Sequence, residues 1–350
     1  MGNKNNKNYL ENEINEFVNN SRLKASDEFK IPPIILKIDD SIIATLGNFS
    51  TSIGKAKSRK TFNITAITAA AIINKRILNY TASLPEIKQK VILIDTEQNK
   101  FHCKKVFNRV LSLAQLEKNK QPENFEFFSL RQYSPEVRIL IIERIIETNE
   151  DVGLIIIDGI RDLAYDINSS HEATEVVTKL MEWTEKYNIH IHTVLHQNKT
   201  DNNSRGHLGT ELNNKSETVL KITVPESQKE VSIIESEFIR DIDFEPFAFS
   251  INDSALPYLL DDFTQTENTA ANKGLKPDEI PNETHISDIL SKVFNKTDNL
   301  PYGKLYKKIK EVYSKFGKMG DNKAKEWAKY YVNQELIIKK DKLYFYENGT

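Results

Sequence analysis

Ile53-Gly54-Lys55-Ala56-Lys57-Ser58-Arg59-Lys60-Thr61 decides how the rest of the chain is read. An apolar run, Phe49 to Ile53, leads into it, and a stretch of helical apolar spacing, Thr61 to Leu78, follows. A phosphate-binding loop asks for this order. It needs a strand, then a tight turn with inward backbone N–H groups, a lysine for the β- and γ-phosphates and a hydroxyl for Mg²⁺. A helix follows, and its N-terminal dipole favours anions. Gly54, Lys60 and Thr61 stand at the required positions, and Lys55, Ala56, Lys57 and Ser58 fill the turn. Arg59 departs from the pattern, because it takes the place of the usual second glycine. Its side chain either forces another loop path or brings a guanidinium to the phosphates. The competing reading of the octapeptide is a basic strand-to-helix turn.

Two later strands bear on that choice. Ile92-Leu93-Ile94-Asp95-Thr96-Glu97-Gln98 runs a buried strand into carboxylates at the edge where α/β folds bind ligands, with Glu97 suited to orient an attacking water. Gly153-Leu154-Ile155-Ile156-Ile157-Asp158-Gly159 runs four apolar residues into Asp158, a candidate for the Mg²⁺ shell. Each aspartate alone reads equally well as a turn cap after a strand. Their order after the loop favours a site.

Outward from these motifs, strands are expected at Ser41 to Gly47, Val91 to Asp95, Leu154 to Asp158, His190 to Leu195, Thr218 to Val224, Val231 to Ile234 and Phe247 to Ile251. Helices fit at Pro135 to Thr148 and His171 to Tyr187. Strands that are apolar throughout and alternate with helices indicate an α/β domain with a mostly parallel central sheet. We place that domain at residues 31–262, after a polar extension over 1–30. Residues 263–284 are polar, aperiodic and proline-containing, and read as a linker. Residues 285–350 hold three stretches of helical spacing, Ile286 to Phe294, Leu305 to Tyr313 and Ala324 to Val332, then a hairpin pattern over Glu335 to Tyr346. They suggest a small winged-helix domain.

Composition narrows the class. The 350 residues are 39% hydrophobic and 28% charged, ordinary globular values. One cysteine, Cys103, excludes an internal disulfide and suits a reducing cytosol. No signal-like segment or membrane-spanning apolar run is present, so a cytoplasmic protein with no membrane partner is expected. The net charge of −2 is unevenly spread: His285 to Thr350 carries 14 lysines against 8 carboxylates, a formal +6 that leaves −8 elsewhere. The basic tail is a candidate footprint for DNA.

With "ILIDTEQ", "LIIIDGI", "TVLHQNK" and "RGHLGTELNNKSETVLKI" following the loop, the stretch Ile34 to Ile251 resembles the RecA-like ATPase core. It is most similar to plasmid RepA-type and DnaB-type hexameric helicases and their relatives on bacterial mobile elements. The resemblance implies ATP and Mg²⁺ at the loop, with Lys60 and Thr61 on phosphate and metal, Glu97 as catalytic carboxylate and Asp158 as the second acidic motif. It implies His196 or Gln197 as γ-phosphate sensor, and Arg240 as the arginine lent to a neighbouring subunit. Its usual basic companion is replaced by Phe238, and a surface arginine beside Asp241 is the competing reading. A homo-oligomeric ring, hexameric in the family, acting on DNA as a helicase-like motor in replication or mobilisation is the functional implication. An ATP-dependent DNA-binding switch that unwinds nothing, or a structural module with a vestigial loop, are the alternatives.

Asn198 to Asn214, with Lys199, Arg205, Gly206, His207 and Gly209, resembles the mobile channel-facing loop of such rings, or is an ordinary exposed loop. His190 and His192 share one side of a strand but have no third ligand, which favours a structural role. In the tail, Lys323, Lys325 and Lys329 line one helix that could enter a DNA groove, with Lys339 to Lys342 as a wing on phosphates. A protein-adaptor role fits the same pattern. Trp327, Tyr330 and Tyr331 at helical spacing read as core.

Overall fold

The computed structural model describes residues 13–197, 206–225, 228–260, 277, 283, 285–313 and 319–346. The chain divides into two compact units, Met1–Pro32 and Pro33–Thr350. In the first, residues 13–20 are helical and expose Ile14, Phe17 and Val18.

The second unit begins with strands β1 (Ile34–Ile38), β2 (Ser41–Thr45) and β3 (Phe49–Gly54), the phosphate-loop candidate and helix α1 (Lys60–Ile73). The short strands β4 (Arg76–Ile77) and β5 (Tyr80–Ala82) come next, then β6 (Lys90–Asp95), α2 (Lys100–Leu113), β7 (Phe125–Ser129), α3 (Pro135–Glu147) and β8 (Val152–Asp158). After them come α4 (Ser170–Tyr187), β9 (His190–His196), α5 (Gly206–Lys215), β10 (Thr218–Thr223), β11 (Ser232–Ile239), β12 (Phe247–Ile251) and β13 (Pro257–Leu259).

Nine strands form one sheet in the order β13-β12-β11-β10-β3-β9-β8-β6-β7. From β10 to β7 all neighbours are parallel; β11, β12 and β13 add an antiparallel edge. The α/β reading with a mostly parallel sheet therefore holds. Strands bury alternate residues on opposite faces, and here both faces are covered: Val91, Leu93, Leu154 and Ile156 join one core, while Ile92, Ile94, Ile155 and Ile157 join the other. That double burial is why these strands are apolar at every position. The first core is closed by α1, α2 and a four-stranded antiparallel sheet, β2-β1-β5-β4; α3, α4 and α5 close the second.

Several boundaries differ from the sequence reading. Helix α1 stops at Ile73 rather than Leu78, because Asn74 turns left-handed at φ 49° and its side chain exchanges hydrogen bonds with the Leu84 backbone at 2.7 and 3.1 Å. Strand β11 runs on to Ile239; its polar Glu235 and Glu237 pair with Lys221 across the ladder at 3.4 and 2.8 Å. Within the loop expected over Asn198 to Asn214, the chain from Gly206 on is helical, to Lys215: Leu208 and Leu212, one turn apart, are both buried in the second core.

The C-terminal elements are helical pieces His285–Leu290 and Ser291–Val293, strand β14 (Asn299–Pro301), helices α6 (Tyr302–Tyr313) and α7 (Asp321–Asn333), and strands β15 (Ile338–Lys340) and β16 (Leu343–Phe345). The strands form a sheet in the order β14-β16-β15. Trp327, Tyr306 and Tyr331 fill a core of their own, so these aromatics are packing residues. Most of the expected linker over 263–284 lies outside the described residues.

Basic side chains of this lobe reach carboxylates of the preceding one. Lys325 Nζ lies 2.6 Å from Asp243, Lys339 Nζ 2.7 Å from Glu245 and Lys342 Nζ 2.7 Å from Asp39. The sequence reading gave Lys325 and the 339–342 wing to DNA phosphate. Of these, Lys325, Lys339 and Lys342 pair with acidic groups of the same chain, where Asp241, Asp243 and Glu245 form an acidic stretch against which the lobe packs. Among the described residues no helix is long and apolar enough to cross a membrane.

Candidate functional site

Parallel strands deliver their C-terminal ends to one edge of the sheet, and the sequence motifs meet there. Gly54 ends β3 beside His196 at the end of β9, and Asp95 ends β6 beside Asp158 at the end of β8. Lys57, Arg59, Lys60, Thr61, Glu97 and His196 line one cleft of about 440 Å³ together with Asp95 and Asp158.

Lys60 is the centre of the cluster. Its Nζ donates to Gly54 O at 2.8 Å, Lys55 O at 2.9 Å and His196 Nδ1 at 3.0 Å. Burial lowers the ammonium to about 8, opposed by Asp158 and Glu97 nearby. With His196 Nδ1 accepting from Lys60, the imidazole proton belongs on Nε2, which lies 3.7 Å from Glu97 Oε1. That contact, more than any other, holds the Glu97 carboxyl below its ordinary range, with Lys60 and Arg161 adding to it.

Thr61 Oγ1 donates to Asp158 Oδ2 at 2.9 Å, so the hydroxyl and the carboxylate expected around a Mg²⁺ ion already touch. Burial, then the charges of Asp95 and Glu97, push Asp158 up to about 7. A divalent cation beside Asp158 would offset that penalty. Asp95 itself serves the turn: Oδ1 accepts from the backbone N–H of Glu97 and Gln98 at 3.0 and 2.7 Å, which sets the direction of Glu97. Gln197 is buried, and its N–H donates to Gly54 O at 3.0 Å.

The loop is tight. A Cβ on Gly54 would lie 2.5 Å from Ile222 O and 2.5 Å from Ser58 Oγ, so only glycine fits. Lys57 and Arg59 both have positive φ, 67° and 68°. Ser58 Oγ is buried without a hydrogen-bond partner among the described residues. The residues present therefore fit a nucleotide phosphate with its metal.

Other expected residues stand elsewhere. Arg240 is exposed beyond β11 and donates to Lys215 O at 3.1 Å. Thr218 pairs with Ile239 while Lys221 pairs with Ile53, so Arg240 is at the opposite end of the sheet from the loop. Lys199 and Arg205 lie outside the described residues. Lys323, Lys325 and Lys329 are on α7, away from the cleft.

Sequence reading missed the far wall. Phe62, His102, Lys105 and Arg109 also line the cleft, and the Arg109 guanidinium sits 3.7 Å from the Phe62 ring centre while Nε donates to Ala255 O at 3.0 Å. The spacing of His102, Lys105 and Arg109 on one helix was the available signal. Arg138 was missed too: it is buried and donates to Leu130 O, Arg131 O and Asp162 O at 3.1, 3.1 and 2.6 Å, bracing the turns behind Thr96. His190 and His192 are buried and bonded to serines of β3, and no cluster of three metal-ligating side chains occurs among the described residues.

A family model described as an AAA domain matches residues 23–202, just over half of the chain. Among solved structures, that of the RadB recombinase is similar at 14% sequence identity with a TM-score of 0.43, covering 60% of this chain and 90% of that one. No curated protein matches the chain.

Proposed function

The chain belongs to the AAA domain family of P-loop ATPases, and from that premise we propose a RecA-like, ring-forming motor that hydrolyses ATP to act on DNA. In this reading it is a helicase-like protein of the plasmid RepA and DnaB type, working in the cytoplasm in replication or mobilisation of a mobile element. Residues 31–262 are the ATPase domain, 263–284 the linker and 285–350 a winged-helix domain.

One observation carries the reading: Lys60, Thr61, Asp158, Glu97 and His196, drawn from four separate segments, converge on a single cleft at the end of a parallel sheet. Lys60 and the loop amides bind phosphate. Thr61 and Asp158 would hold Mg²⁺, which supplies charge neutralisation for the transferring phosphoryl group. Glu97, kept ionised by His196, orients and deprotonates the attacking water, and His196 is positioned to report the γ-phosphate. Arg240 cannot serve its own cleft from the far end of the sheet, which supports donation to a neighbour in a ring, a hexamer by family analogy.

ATPase assays on Lys60→Ala and Glu97→Gln, with and without single-stranded DNA and alongside the mass of the assembly, test this. Each substitution abolishes turnover if the roles are right, and undiminished activity in both refutes them.

The second reading, an ATP-dependent assembly switch without unwinding, is favoured by one feature: Lys325, Lys339 and Lys342 are engaged by Asp243, Glu245 and Asp39. Strand displacement by purified protein excludes it.

A further inference from the structure

The side chain that breaks the loop consensus also ties the loop down. Arg59, at φ 68° and ψ 32°, holds the left-handed conformation that glycine adopts freely and other residues seldom do. Its guanidinium reaches the turn between β10 and β11: Nη1 donates to Glu230 O at 2.5 Å and Ser232 Oγ at 3.3 Å, and Nη2 to Lys229 O at 2.8 Å. A planar fork of donors suits two adjacent carbonyls in a way that a lysine's point charge does not. The turn is anchored in its own right, since Ser250 Oγ donates to Glu230 O at 2.9 Å and Ser232 Oγ to Ser58 O at 3.4 Å. At the other end of the loop Gly54 packs on Ile222 O of β10. The β10–β11 hairpin thus grips the loop at both ends.

We propose that Arg59 is a positioning residue for the phosphate site. In place of a flexible second glycine it provides a two-pronged tether that holds the backbone of Ser58 to Thr61 in its turn before nucleotide arrives. The proposal rests on the ATPase reading of the cleft. A glycine at this position relaxes the backbone but multiplies the conformations of the free loop, so the ordering cost moves into the binding step.

Arg59→Gly and Arg59→Lys are compared with the wild-type full chain by steady-state ATPase kinetics, titration with a fluorescent N-methylanthraniloyl ATP, thermal melting and hydrogen exchange over residues 54–61 and 228–232. The glycine variant is expected to lose about tenfold in kcat/KM, chiefly through KM. Exchange should be faster in both segments, with the melting temperature unchanged. Lysine, which keeps the charge without the fork, recovers part of the loss. A glycine variant with wild-type KM overturns the tether, as does unchanged exchange over 228–232. Full recovery by lysine also overturns it, in favour of charge alone. If wild-type protein binds no nucleotide, the ATPase reading falls, and the exchange comparison still decides whether Arg59 holds the loop.

Discussion

Lys325 Nζ lies 2.6 Å from Asp243 Oδ2, and this pair joins helix α7 to the segment that follows β11. Asp243 is 4% exposed and also accepts from Tyr306 Oη and Phe244 N at 2.9 Å and from Ser236 Oγ. Removing one partner of such a pair strands the other charge away from water, at a cost of about 3 kcal/mol. Lys339 and Lys342 keep 39% and 55% of their side chains exposed, so their pairs with Glu245 and Asp39 are worth about 1 kcal/mol or less. Lys325→Ala is therefore expected to lower the unfolding free energy far more than Lys339→Ala or Lys342→Ala, and to open residues 285–346 to limited proteolysis. Denaturant titration of the three variants checks this; equal, small effects contradict it.

Gly54→Ala separates the loop's geometry from its chemistry, because the new methyl would meet a backbone carbonyl, Ile222 O, at 2.5 Å. Strand β10 is fixed between β3 and β11, so the loop has to give, and with it Gly54 O and Lys55 O, which hold Lys60. Nucleotide affinity should fall by at least about tenfold, the size of one lost charge-assisted hydrogen bond, while circular dichroism stays that of the wild type. Calorimetric titration with ATP decides it; unaltered affinity would mean that the loop does not bind phosphate in this conformation.

His196→Ala tests the electrostatics around Glu97. His196 is the largest cause of the lowered Glu97 carboxyl, so its loss raises that group towards the ordinary carboxylate range. The base stays ionised over a narrower span, and the acid limb of the ATPase pH profile moves to higher pH as kcat falls. A profile of kcat against pH for both proteins is the measurement, and an unmoved acid limb rules out this coupling.

What the sequence disclosed, and what it hid, follows from range. The loop, Glu97 and Asp158 were legible because each sits in one short apolar-strand-to-turn segment, and parallel strands must bring such ends to one edge. Helix α2 went unread although Asn99 caps it, accepting from His102 N at 3.0 Å, because its run of lysines masks a sparse buried stripe of Cys103, Val106 and Val110. The glycine-containing stretch 206–214 looked like loop until Leu208 and Leu212 found a core to fill. Arg59 with Glu230, and Asp243 with Lys325, are separated by long stretches of chain, and no local pattern announces such a pairing.

Buried histidines give the fold a pH dependence of defined sign. His190 Nδ1 bonds Thr45 O at 2.8 Å and must be its protonated nitrogen, which leaves Nε2 to accept from Ser50 Oγ at 2.7 Å. Ser50 then accepts from His192 Nδ1 at 2.7 Å, and His192 Nε2 accepts from Ser52 Oγ at 2.8 Å. Every position in this relay is satisfied with both rings neutral, and a second proton on either ring would face a hydroxyl already donating towards it. Burial lowers His190 to about 4 and His192 to about 3, even with Glu217 4.0 Å from His190 Nδ1. In the unfolded chain both titrate at about 6.5, so between that pH and about 4 the unfolded state binds more protons. Stability is therefore complete above about pH 6.5 and declines as pH falls, by up to about 1.4 kcal/mol per pH unit for each ring. Urea unfolding at intervals from pH 4.5 to 7.5 should show that slope, and His192→Gln should reduce it by about one proton. A slope unchanged by the substitution would show that His192 is not held neutral by the fold.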